Sequence, residues 1–260
     1  MSAQHSAADA AVNMALNTKG LTKHFGGIVA TDNLDLNVKR GSLHALIGPN
    51  GAGKTTLISQ LCGLLAPDSG QVFLYDQDIT AVPPAKRVQR GLSRTFQITS
   101  VFPEFSAQDN VAFAAQAVAG HSYRFWRPVV NNKTFQQQAQ DALARVGLST
   151  RATVPASSLS HGERRQLEIA MVLAAKPKVL LLDEPMAGMG GEESALMVEL
   201  LQSLKYEVTM LLVEHDMDAV FALADELSVL VYGRLIATGL PEDIRGNAEV
   251  QRAYLGATPS

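Results

Sequence analysis

One short segment limits what this chain can fold into: Gly48-Pro49-Asn50-Gly51-Ala52-Gly53-Lys54-Thr55 fits G-x-x-x-x-G-K-[ST] with every fixed position filled. The apolar run Leu43 to Ile47 enters it. Thr56, Leu57, Ile58, Leu61 and Leu64 leave it with helical spacing, so the segment reads as strand, glycine loop, helix. Glycines let successive backbone N–H groups turn inward around phosphates, and the start of the following helix adds positive potential. Lys54 supplies a point charge. Thr55 supplies a hydroxyl for Mg2+, a cation that prefers hard oxygen ligands and therefore calls for a carboxylate from another strand end.

Two later runs answer that requirement. Val179 to Leu182 and Met210 to Val213 are continuously apolar, the pattern of strands covered on both faces in a parallel sheet. Leu196, Met197, Leu200, Leu201 and Leu204 form a helical stripe between them, suited to a crossover. Asp183 and Glu184 follow the first run, at the C-terminal strand edge where such sheets bind ligands. Alone, Asp-Glu-Pro after a strand reads more readily as a solvated turn, but the glycine loop upstream reverses that reading. Asp183 is then expected to hold Mg2+ and Glu184 to polarise the water that attacks a γ-phosphate. His215 follows the second run, placed to contact that phosphate. Gln97 opens a helix-favouring stretch, about 98–161, where its neutral amide could reach Mg2+ and the attacking water. At the end of that stretch Ser160 and Glu163 have capping-box spacing, and a helix start whose N–H groups are free could also accept another molecule's γ-phosphate.

Composition narrows the alternatives. Hydrophobic residues make up 47% and charged residues 18%, as in a folded domain, and 22 Lys and Arg against 25 Asp and Glu leave no basic field for a nucleic-acid partner. The single cysteine, Cys62, has no partner for a disulfide or a zinc pair, favours a reducing compartment and reads as core. Apolar runs such as Ile169 to Ala175 are far shorter than the about 18 residues needed to cross a bilayer. Residues 1–18 lack the charged and apolar regions of a signal peptide and read as a loose leader. A hairpin is expected around Gly233-Arg234. Neither a hydrolase elbow nor paired histidine metal spacing is present.

In this order the motifs resemble the ATP-binding subunits of ABC transporters, over nearly all of residues 19–256, with 257–260 left as a tail. In that family's terms Gly48 to Thr56 looks like Walker A, Gln97 like the Q-loop, Leu159 to Glu163 like the signature, Val179 to Glu184 like Walker B and His215 like the switch histidine. The resemblance implies an α/β fold: a P-loop NTPase core with a mainly parallel sheet, an N-terminal antiparallel β-subdomain and a helical insertion. It implies ATP and Mg2+ as ligands, with Asn50, Gly51, Ala52, Gly53, Lys54, Thr55 and Thr56 around the phosphates, Phe25 stacked on adenine, and Thr55, Gln97 and Asp183 around the metal. It also implies a second ATP-binding subunit, identical or not, arranged head to tail so that its Ser160 and Gly162 complete each site.

Phe25-Gly26-Gly27, Arg94-Thr95-Phe96-Gln97, Glu163 and the ending Ala253-Tyr254-Leu255-Gly256 resemble the branched-chain amino-acid uptake branch. That implies two integral-membrane permease subunits, a periplasmic substrate-binding protein acting through them, and a cytoplasmic location against the inner face of the membrane. Phe102, Pro103, Glu104 and Phe105 are candidates for the docking loop. The rival readings are the ATPase of a lipopolysaccharide-type exporter and a soluble, non-transport ABC ATPase. Three positions depart from the family pattern: His161 stands for glycine, Glu163 for glutamine, and Gly190 for the Asp or Asn of the D-loop.

Overall fold

The computed structural model describes residues 13–95, 101–119 and 132–255. Its elements begin with β1 (Met14–Phe25), β2 (Ile28–Leu34), β3 (Asn37–Lys39) and β4 (Leu43–Ile47). After the glycine loop come α1 (Lys54–Cys62), β5 (Ser69–Leu74), β6 (Gln77–Asp78), α2 (Pro84–Gln89) and β7 (Leu92–Arg94). Three helices follow: α3 (Ala107–Val118), α4 (Lys133–Arg145) and α5 (His161–Ala174). The chain then alternates β8 (Val179–Asp183), α6 (Gly191–Leu204), β9 (Thr209–Val213) and α7 (Met217–Leu223). It closes with the hairpin β10 (Glu226–Val231) and β11 (Arg234–Gly239), then α8 (Pro241–Arg245) and α9 (Ala248–Leu255).

The main sheet has the order β11-β10-β4-β9-β8-β7, parallel from β10 to β7, with β11 antiparallel at one edge. Every residue of β4, β8 and β9 is buried, which explains the apolar runs Ala45 to Ile47, Val179 to Leu182 and Met210 to Val213 within them. Alternate side chains enter different cores, as the two-residue strand period requires. Leu46, Leu181, Leu211 and Val213 face α1 and the antiparallel sheet β2-β1-β5-β6, where they meet Leu57, Leu61, Leu16 and Val72. Leu180, Leu182, Met210 and Leu212 face the opposite side, where Met197 and Leu201 of α6 and Leu223 of α7 lie. Burying each leucine contributes about 1.5–3 kcal/mol relative to exposure.

Helices α3, α4 and α5 pack on one another as a separate layer. Their starts are capped by Ser106, Asn132 and Ser160. Small residues such as Ala112, Ala139 and Ala170 line their buried contacts.

Two sequence boundaries need correction. The loose leader does not extend to Thr18: β1 begins at Met14, because Ala15 and Leu16 are fully buried and Leu16 pairs with Val38 of β3 and Leu74 of β5. The helical layer does not stop at His161 either, since α5 runs from that residue and packs on both α3 and α4. The expected hairpin is present, with Gly233 at a φ of 80° in its turn. The tail at 257–260 lies outside the described residues.

Candidate nucleotide site

Strands β4, β9 and β8 are neighbours in register, with Leu46 opposite Val213 and Val213 opposite Asp183. Their C-terminal ends therefore bring the glycine loop, Asp183-Glu184 and Glu214-His215 to one sheet edge. The loop passes so close to its surroundings that a Cβ on Gly48 would lie 2.1 Å from the Leu230 carbonyl oxygen. At Gly53 a Cβ would lie 2.1 Å from the Ala30 oxygen, and its φ of 108° is in any case foreign to L side chains. Gly53 is also the N-cap of α1 and supplies no side-chain cap, which leaves the helix start open toward an anion. Lys54 folds back over the loop and donates to the Gly48 and Pro49 carbonyls, the latter at 3.1 Å. Burial lowers its pKa, opposed by the nearby Glu184 and Asp183 carboxylates. A buried ammonium beside two acids and a ring of amides is a donor set that fits a magnesium-bound polyphosphate.

The two adjacent acids have different surroundings. Asp183 is 3% exposed and accepts a 2.6 Å hydrogen bond from Arg94 Nη2. Glu184 has a φ of 51°, an uncommon conformation for a residue with a side chain, and its amide donates to the Val213 carbonyl at 2.9 Å. The turn breaks the strand direction after Asp183 and leaves the Glu184 carboxylate partly exposed, with Oε1 3.4 Å from His215 Nδ1. Glu214 stabilises this arrangement from behind. It is 2% exposed, its Oε1 accepts from the Met186 amide at 3.0 Å, and its Oε2 accepts from the His215 amide at 2.9 Å.

Thr55 and Asn50 are exposed on the same loop, with Thr56 half-buried behind Thr55. Phe25 ends β1 with its ring 49% exposed and the Lys23 ammonium 5.8 Å from the ring centroid. Gln97 lies outside the described residues. Ser160 and Gly162 begin α5 in the helical layer, and among the described residues no hydrogen bond or ion pair joins them to the glycine loop. Ser160 Oγ accepts from the Glu163 amide at 3.1 Å, and Glu163 Oε2 accepts from the Ser160 amide at 2.8 Å, which is the reciprocal cap implied by the spacing. Arg94 and Glu214 carry no motif position of their own in the sequence. Adjacency to Gln97 and His215 is the one sequence signal that points to them.

A family model described as "ABC transporter" matches residues 31–187, more than half of the chain. The chain belongs to the ABC transporter ATP-binding family. A second model, "Branched-chain amino acid ATP-binding cassette transporter", matches residues 234–258. Among relatives of this ABC cassette, the high-affinity branched-chain amino acid transport ATP-binding protein LivG of Escherichia coli K12 is 37% identical over 248 residues, covering 93% of this chain and 97% of LivG. BraF of Pseudomonas aeruginosa, which carries the same description, is 36% identical over 253 residues with the same coverage. The crystal structure of the ADP conformation of MJ1267, an ATP-binding cassette of an ABC transporter, superposes with a TM-score of 0.84 at 29% identity, covering 94% of this chain and 99% of that one.

The cassette's second feature lies away from the nucleotide loop. A cleft of about 380 Å3 separates the sheet core from the helical layer, lined by Leu64, Val88, Leu92, Ala114, Met171 and Val172 among others. Cys62 lines it too and is only partly buried, rather than a full core residue. Phe102 and Phe105 are 53% and 41% exposed, yet they pack on each other and on Phe113, and their loop is held by the buried amide of Asn110. Among the described residues no helix is long and apolar enough to cross a membrane.

Proposed function

We propose that this chain is the ATP-hydrolysing subunit that powers a membrane ABC importer for branched-chain or other hydrophobic amino acids or related amides. The observation that carries the reading is the convergence of Lys54, Asp183, Glu184 and His215 on one edge of the parallel sheet. The relatives' names and the matched C-terminal segment support the substrate class.

In this mechanism the amides of Asn50 to Thr56 and the Lys54 ammonium bind the phosphates, and Phe25 offers a ring to the base. Thr55, Asp183 and Gln97 would hold Mg2+, which, when bound, neutralises charge on the phosphate oxygens. Glu184 accepts a proton from the attacking water. His215, in contact with the Glu184 carboxylate, donates toward the γ-phosphate. Ser160 and Gly162 of a second ATP-binding subunit complete the site, so ATP closes the pair and hydrolysis reopens it. The cleft between core and helical layer, with the neighbouring Phe102–Phe105 loop, is the seat we assign to a cytoplasmic segment of the two permease subunits. That seat puts the chain on the inner face of the membrane, and a periplasmic binding protein would act on it only through the permease.

Glu184→Gln keeps the shape of the side chain and removes the proton acceptor. Hydrolysis should drop by about two orders of magnitude or more while ATP still binds. Turnover equal to wild type would refute the assignment.

A further inference from the structure

The seat assigned to the partner's γ-phosphate is already occupied by a carboxylate of this same chain. Glu193, in the first turn of α6, accepts the Gly162 N–H at 3.1 Å through Oε1. The fit is close, because a Cβ on Gly162 would lie 2.7 Å from that oxygen. The neighbouring Glu163 N–H is taken by Ser160 Oγ, so two successive donors at the start of α5 are satisfied before any second molecule arrives. A second contact joins the same two segments: the His161 ring lies 3.6 Å from where a Cβ on Gly188 would stand. Residues 185–193, which run directly from Glu184, thus rest on the start of the signature helix. A Met186–Glu214 bond at one end and the Glu193–Gly162 bond at the other hold that run in place.

We propose that Glu193 is an internal surrogate for the partner's γ-phosphate, and that its displacement sets the ATP concentration at which two subunits close. The inference rests on the dimer reading given above. A carboxylate and a γ-phosphate oxygen compete for the same N–H, and they repel each other at close range. An internal ligand raises the apparent dissociation constant of an external one in inverse proportion to the fraction of time the seat is free. The Glu193 carboxylate is half-buried and preplaced by α6, so it holds the seat without loss of translational freedom. When phosphate displaces it, residues 185–193 lose their hydrogen bond to α5. The arrival of the partner's nucleotide is thereby reported to the segment that carries this chain's own Glu184.

The experiment uses the full chain in a Glu184→Gln background, where bound ATP persists, and reads dimer formation by sedimentation as ATP with Mg2+ is raised. Glu193→Ala should lower the ATP concentration at half-dimerisation by about three- to tenfold, the worth of one partly exposed charge-assisted hydrogen bond. Glu193→Gln should move it in the same direction by less, since a neutral amide oxygen is a weaker competitor. Glu193→Asp, one methylene too short to reach Gly162, should behave like the alanine variant while keeping the charge in the first turn of α6. This variant and a melting curve for each protein separate competition from misfolding. An unchanged or raised threshold in all three variants overturns the surrogate role. If the Glu184→Gln chain binds ATP and never associates, the dimer reading itself falls, and this inference falls with it.

Discussion

Glu214 offers the most direct test of how the site is held. Its carboxylate is buried and bonds two backbone amides: Met186, two residues past Glu184, and His215 itself. A hydrogen bond to an ionised acceptor contributes about 1.5–3 kcal/mol net. Glu214→Gln retains one carbonyl oxygen, so one amide keeps its acceptor and the other faces an NH2 group. The expected loss is about 2–3 kcal/mol, and about 3–6 kcal/mol for Glu214→Ala, which leaves both donors without an acceptor. At about 2–4 °C per kcal/mol for a chain of this size, Glu214→Gln should lower Tm by roughly 4–12 °C. The affected amides belong to the segments that carry Glu184 and His215, and a shift of about 1 Å in reacting groups can cost about a hundredfold in rate. Phosphate release measured well below the melting range should therefore fall by more than tenfold. A Tm within about 1 °C of wild type would refute the energetic argument. A lowered Tm with unchanged turnover would show that Glu214 holds the fold without aligning the site.

The remaining predictions concern single side chains. Lys54→Ala should weaken ATP binding itself, and a titration with normal affinity would contradict its placement over the glycine loop. The Ser160 amide, with Arg151 assisting, holds the Glu163 carboxyl below its ordinary value of 4.5. A depressed folded-state pKa contributes stability above about pH 4.5 that is lost as pH falls through the lower folded value. Acid melting curves between pH 6 and 3 should accordingly be flatter for Glu163→Gln, and identical slopes would reject the contribution. Burial pushes the Cys62 thiol up to about 11, so alkylation by iodoacetamide should be slow at pH 8 and rise about tenfold per pH unit toward that value. Labelling at pH 8 as fast as a free cysteine would show that the cleft leaves the thiol solvated.

The parts of this protein legible from sequence are those whose physics is local. A glycine loop needs particular residues at consecutive positions, a buried strand needs an unbroken apolar run, and a capping box needs a hydroxyl and an acid three apart. Gly48 to Thr55, the strands ending at Asp183 and Val213, and the Ser160–Glu163 cap therefore stood out, as did the hairpin at Gly233. Contacts between distant segments left no such trace. Met14 to Thr18 looked like tail because its burial comes from pairing with β3 and β5, twenty or more residues downstream. Arg94 meets Asp183 across 89 positions, Glu214 reaches back 28 to Met186, and Glu193 reaches back 31 to Gly162. Each of these bonds depends on which strands neighbour one another and on where a helix start comes to rest against a loop. Periodicity encodes which face of an element is buried, but only the assembled sheet order and packing decide which distant donor meets which buried acceptor.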